Sequence, residues 1–242
     1  MNPEQQGMAP SLSSNMEADG ASFRPHDLLW IADGHALQSD EPFPSWVTSH
    51  WLQLAPVVVR RERVERAESV ATIPVGLRGM ARSERVAAYL RADAVTRRAS
   101  PEMLAQEACW KRLAAQAVPA LAALARLAPL LDALGLPWGP TGSTGFALAT
   151  GLPVLREQSD LDLVIRSALP LTSEQTRSLR AASDGEVCRI DIQIDTGHGA
   201  FAFAEWTARR DQRDRVLLKT DDGPVLTPDP WAQRAPSVQQ AA

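Results

Sequence analysis

The sequence predicts an α+β protein organised in two parts, and three features carry that reading. Asp160 to Ile165 and Val187 to Ile194 are strand-like apolar runs, and Thr172 to Ala182 between them reads as a helix opened by a Thr172/Gln175 capping box. Pro56 to Arg60, far upstream, is a compact β-branched run suited to a buried strand. Between the two regions, Ser100-Pro101-Glu102 places a serine cap and a first-turn proline where a new helix should start. The predicted architecture is a mixed sheet with flanking helices over residues 101–232, preceded by a smaller N-terminal α/β domain over residues 23–100.

The flanking elements follow in order. Residues 1–22 hold almost no large apolar side chain and cannot offset their ordering entropy, so they read as a disordered tail, as does the Gln-rich segment 233–242. Arg24-Pro25-His26-Asp27-Leu28-Leu29-Trp30 begins the ordered chain. Ile73 to Gly79 reads as an extended piece ending in a tight turn, and the stretch from Arg82 to Leu90 reads as a helix. Leu104 to Leu136 is rich in Ala and Leu, which predicts one or two packed helices broken or kinked around Pro119 and Pro129.

Composition narrows the function. With 242 residues and 45% hydrophobic content, the chain can bury a substantial core. Its one long apolar stretch, Leu113 to Leu136, is interrupted by Pro119, Arg126, Pro129 and Asp132, so no membrane span is expected. The N-terminus lacks the basic and apolar regions of a secretory signal, which points to the cytoplasm. A formal net charge of -4 argues against a nucleic-acid-coating protein. Cys109 and Cys188 form no short-spaced pair with each other or with a histidine, and both read as buried, reduced thiols.

Chemistry concentrates in three segments. Strand alternation projects Asp160 and Asp162 from one face while Leu161, Leu163 and Ile165 turn to the core. Two such carboxylates repel unless a cation separates them. Magnesium or manganese, which favour oxygen ligands, would do so and could also engage phosphate. Upstream, Gly142-Ser143-Thr144-Gly145 forms a small-residue turn leading into the helix at Phe146, whose free amides suit a phosphate. Downstream, Arg189 to Asp195 alternates strictly, putting Asp191, Gln193 and Asp195 on one face. Asp195 ranks below Asp191 because it borders the Thr196-Gly197 turn.

A Gly-Ser turn opening a helix, an Asp-X-Asp strand and a later Asp-bearing strand resemble, in that order, the nucleotidyltransferase superfamily. Arg24 to Trp30, Pro74 to Gly79, Gly142 to Gly145, Ser159 to Leu163, Asp191 to Gln193, Gly199 to Glu205 and Asp229 to Trp231 look like successive landmarks of the malonate decarboxylase holo-acyl-carrier-protein synthases. These are also called phosphoribosyl-dephospho-CoA transferases. The resemblance implies a nucleotidyltransferase-like enzyme that takes 2'-(5-triphosphoribosyl)-3'-dephospho-CoA, releases pyrophosphate and leaves the prosthetic group on a serine of the carrier subunit.

On this reading Asp160, Asp162 and Asp191 hold the metal, and Asp191 also takes the serine proton. Gly142 and Ser143 hold the departing pyrophosphate, and Arg78, Arg82 and Arg85 either meet the substrate phosphates or form a solvated helix face. His198 reads as a solvent-exposed turn residue, and Trp138, Trp206 and Trp231 as packing anchors. Arg91, Arg97 and Arg98 are candidates to steer an acidic carrier. Two alternatives use the same residues: another nucleotidyltransferase acting on a protein or small molecule, and a non-catalytic module that binds the carrier.

Overall fold

The computed structural model describes residues 23–64, 70–106, 118–184, 187–211 and 213–232. Two six-stranded sheets organise them. The first comprises β1 (Leu28–Ile31), β2 (Leu37–Gln38), β3 (Val57–Val59), β4 (Thr72–Arg78), β5 (Arg85–Arg91) and β6 (Val95–Ala99), in the order β2-β5-β4-β3-β1-β6. All its pairings are antiparallel. Its one α-helix among the described residues is α1 (Ser49–Leu54), capped by the Thr48 hydroxyl, so this region is mostly β.

The helix expected from Arg82 to Leu90 is instead strand β5. Seven residues pair with β4, from Thr72 opposite Arg91 to Arg78 opposite Arg85. Ala88 and Leu90 fall on the buried face of that ladder. Cross-strand pairing and alternate burial outweigh the local charge spacing that suggested a helix.

The second sheet comprises β7 (Trp138–Pro140), β8 (Leu161–Arg166), β9 (Ile190–Asp195), β10 (Gly199–Ala202), β11 (Val216–Thr220) and β12 (Gly223–Thr227), consecutive in space. It is mixed: β8 and β9 run parallel, and every other pairing is antiparallel. The parallel pair requires a crossover, and α5 (Ser173–Ser183) lies within it. The Thr172/Gln175 capping box is present.

The other helices are α2 (Pro101–Gln106), α3 (Pro119–Ala133), α4 (Gly142–Thr150) and α6 (Phe203–Thr207). Ser100 Oγ accepts from the Met103 amide, the predicted cap of α2. Pro119 opens α3, where its missing N–H costs nothing, but Pro129 lies inside the helix without ending it. Leu124, Leu127, Ala128 and Leu131 bury the helix face around that proline, and this packing outweighs the lost hydrogen bond. Cys109 and the remainder of the first predicted helical stretch lie outside the described residues.

The larger core joins α3 and α5 to the second sheet and also takes in Leu28, Trp30 and Ala55 from the first region. A second cluster, including Leu29, Val57, Val75 and Leu90, packs the other face of the first sheet. Consecutive residues of β1 thus serve different cores. Trp138 is buried, while Trp206 and Trp231 pack with each other and with Phe201. Among the described residues no helix is long and apolar enough to cross a membrane.

Candidate active site

A cleft of about 890 Å³ lies between the sheets, lined by β3, β4 and β5 on one side and by β8, β9 and the start of α4 on the other. Asp160, Asp162, Asp191, Gly142, Ser143, Arg78 and Arg82 all line it. The seven candidate residues, read from segments far apart in sequence, meet in one cavity.

The acidic wall follows from strand register. Asp162 on β8 pairs directly with Asp191 on β9 across the parallel ladder, while Leu161, Leu163 and Ile165 turn inward. Asp160 precedes β8 by one residue rather than lying within it. Burial raises the Asp162 carboxyl above its usual range, and the neighbouring Asp191 and Asp160 raise it further. Mutually repelling carboxylates of this kind suit a hard cation.

Carboxylate oxygens are the donor type that magnesium and manganese favour. Asp191 also accepts a hydrogen bond from Arg189 Nε at 2.9 Å. Among the described residues no three His, Cys, Asp or Glu side chains are already gathered as a metal site.

The same side of the cleft continues at Thr141, where the chain leaves β7 and enters α4 beside Asp162. The helix starts at Gly142, not at Phe146, so Gly142 to Gly145 form its first turn. The Thr141 side chain does not cap the helix, which leaves its first amides without that competitor for a phosphate. Gly142 has φ +55°, and a β-carbon there would lie 1.9 Å from Asp162 Oδ2. The glycine is required by backbone conformation and by the approach of the carboxylate alike.

Arg78 ties the two walls together. Its guanidinium donates to Ser143 Oγ at 2.8 Å and lies 5.2 Å from the Phe146 ring centre. The residue is only 7% exposed, and burial followed by repulsion from Arg85 lowers its pKa to about 10. It remains a cation at neutral pH. Arg82 and Arg85 are exposed on the same wall, and Arg60, Arg156 and Arg189 extend the basic rim.

Other candidates are used elsewhere. Asp195 is buried, with Oδ2 bound by Arg61 at 2.9 Å and Arg166 at 2.5 Å. His198 is half-buried in the turn after β9, near Thr196, and does not line the cleft. None of the proposed steering arginines lines it either: Arg98 pairs with Asp27, Arg97 stacks on Trp30 and Arg91 pairs with Asp93. Cys188 is a half-buried free thiol.

Among the cleft residues that escaped the sequence reading is a strained histidine. His26 has φ +77°, the sole positive value among the described non-glycine residues. Its Nε2 lies 2.6 Å from Gln193 Oε1 on β9. The local signal was Pro25, which favours a turn whose next residue has positive φ, but that place ordinarily belongs to glycine or asparagine.

Residues 24–101 match the family described as phosphoribosyl-dephospho-CoA transferase MdcG N-terminal domain, and residues 104–230 match its C-terminal domain. A Klebsiella pneumoniae (strain 342) protein named phosphoribosyl-dephospho-CoA transferase is 43% identical over 210 residues, covering 86% of this chain and 96% of the relative. A Pseudomonas putida (strain GB-1) protein of the same name is 44% identical over 213 residues, covering 86% and 95% respectively. A Pseudomonas aeruginosa relative with that name is 39% identical over 212 residues, covering 87% and 95%. No solved structure matches the chain.

Proposed function

The chain belongs to the phosphoribosyl-dephospho-CoA transferase MdcG family, and from that premise we propose that it transfers the prosthetic group of triphosphoribosyl-dephospho-CoA to a serine of the malonate decarboxylase acyl-carrier protein. Pyrophosphate is the second product. The observation that carries this reading is the cleft itself, where carboxylates and a glycine-opened helix start lie side by side and a buried arginine reaches them from the other side.

The chemistry follows from charge. A serine oxygen must approach a phosphorus surrounded by anionic oxygens, so catalysis requires charge neutralisation and alignment of attacker and leaving group. The α4 amides, Ser143 and Arg78 would bind the pyrophosphate portion, with Arg82 and Arg85 at the outer end. Asp160, Asp162 and Asp191 would hold magnesium or manganese, which when bound supplies positive charge beside the reacting phosphate. The carrier serine would enter from the open side of the cleft.

Mass spectrometry of the apo carrier protein, before and after incubation with this enzyme and the triphosphoribosyl precursor, tests the proposal. A gain equal to the precursor minus pyrophosphate is expected. An unchanged carrier mass with intact substrates would overturn it.

A further inference from the structure

The strained histidine at the cleft has properties that packing alone does not require. Pro25 and His26 occupy the centre of a turn closed by the Asp27 amide donating to the Arg24 carbonyl at 3.0 Å. The Arg24 amide donates back to Asp27 Oδ2 at 2.9 Å, and Arg98 also pairs with that oxygen. The His26 amide donates to the Val59 carbonyl at 3.0 Å. The turn is thus held from several sides, and it forces a histidine into a left-handed conformation where glycine is unstrained. Such strain persists where the surroundings over-determine it, most often at functional sites.

The ring is oriented as well as strained. Gln193 shares the β9 face with Asp191, and its Oε1 accepts from His26 Nε2–H. An acceptor at Nε2 selects the tautomer whose Nδ1 carries a lone pair. His26 lines the cleft and is partly open to it. Asp191 already receives Arg189 on one oxygen. Among the described residues lining the cleft, His26 is the only histidine.

We propose that His26 is the catalytic base of the transfer, its Nδ1 taking the proton of the incoming serine hydroxyl. This rests on the carrier-serine reading of the cleft. In the balanced step, the serine O–H bond breaks and its proton passes to Nδ1 as the serine oxygen forms a bond to the α-phosphorus. The bond from that phosphorus to the bridging oxygen breaks, and pyrophosphate leaves with the electron pair. The imidazolium later returns its proton to solvent.

The surroundings favour a neutral resting ring. Burial lowers the His26 pKa, the Gln193 hydrogen bond opposes that shift, and Arg166 lowers it further. Asp195 acts to raise it and Arg61 to lower it, while Asp27 is the adjacent acid in sequence, itself paired with Arg98. A neutral imidazole at the working pH is the form a base requires.

His26→Gly removes the ring and relieves the backbone strain, so folding should survive. With wild type transferring the group, the variant should lose about 100-fold or more in kcat, with the precursor KM within about threefold. Its rate profile should lose the acid limb, and added imidazole should restore part of kcat. A variant retaining kcat within about tenfold, keeping the acid limb, or altering KM alone would overturn the proposal. If wild type transfers nothing, the carrier reading fails on its own. Nitrogen-15 NMR of wild-type His26 then decides the remainder: a neutral Nε2–H tautomer at neutral pH is expected, and an imidazolium or Nδ1–H tautomer overturns the base assignment.

Discussion

Gly142 lies so close to Asp162 that an added β-carbon would sit 1.9 Å from the carboxylate Oδ2. The first turn of α4 and the acidic wall therefore interlock, and the gap between them is set by the absence of one side chain. Gly142→Ala must move the helix start or the carboxylate, and its φ of +55° adds strain. Turnover should fall by about 100-fold, as expected for an ångström-scale misplacement in an aligned site. Steady-state kinetics alongside a precursor-binding isotherm measure this. Unchanged values for both would detach the helix start from the phosphate site.

Asp162→Asn should stabilise the metal-free protein at neutral pH while nearly abolishing transfer. Because the folded-state pKa of Asp162 is raised, its stabilising contribution is complete below the ordinary carboxylate range and lost as pH rises through the raised value. At neutral pH the ionised side chain opposes folding. The variant's thermal midpoint in a chelator should therefore exceed wild type at about pH 7, with the difference shrinking as pH falls toward about 4. A lower midpoint at neutral pH would contradict the repulsion.

Much of this site was legible because it rests on local patterns. Alternation placed Asp162 and Asp191 on their strands, and the cap signals at Ser100 and Thr172 identified two helix starts. What escaped depends on partners distant in sequence. Arg85 to Arg91 became a strand because β4 lies beside it. Arg78 is buried because Ser143 and Phe146, from the other sheet's region, meet it. His26 required a turn held by Asp27 and Val59, together with an acceptor from β9.

Asp195→Ala should destabilise the fold without removing a cleft residue. Its Oδ2 receives both Arg61 and Arg166, and its Oδ1 accepts the Gly197 amide at 2.9 Å. Deleting the carboxylate removes the acid that the two largely buried cations share, leaving Arg61 with Asp221 and Arg166 with Glu102, a loss of about 3 kcal/mol, the low end for a broken buried pair. Urea unfolding measures it. A loss below about 1 kcal/mol would mean that the pair behaves as a solvated surface contact.

Arg78→Lys should weaken precursor binding although charge is conserved. Lysine lacks the planar fork that reaches Ser143 while lying beside the Phe146 ring. Loss of one charge-assisted hydrogen bond corresponds to about 10–100-fold in affinity. The precursor KM should rise by that factor, with the carrier KM little affected. An equal rise in both would place Arg78 in general support of the cleft.

Transfer should be direct, with no prosthetic group ever attached to this chain. The serines nearest the acidic wall are already engaged: Ser143 Oγ accepts from Arg78, and Ser159 Oγ accepts from the Arg156 amide at 2.9 Å. Neither has a hydrogen-bonded histidine or carboxylate to take its proton, as an enzyme nucleophile would require. Thr144 is buried beneath the same helix turn, where an entering phosphate cannot reach it without unfolding that turn. The exposed Arg82, Arg85, Arg156 and Arg189 instead form a basic rim suited to an acidic carrier. Raising ionic strength should therefore increase the carrier KM more than the precursor KM. Single-turnover mass spectrometry of both proteins is decisive: the added mass should appear on the carrier alone and vanish when its acceptor serine is alanine. Mass on this chain at any time point would establish a covalent intermediate and exclude direct transfer.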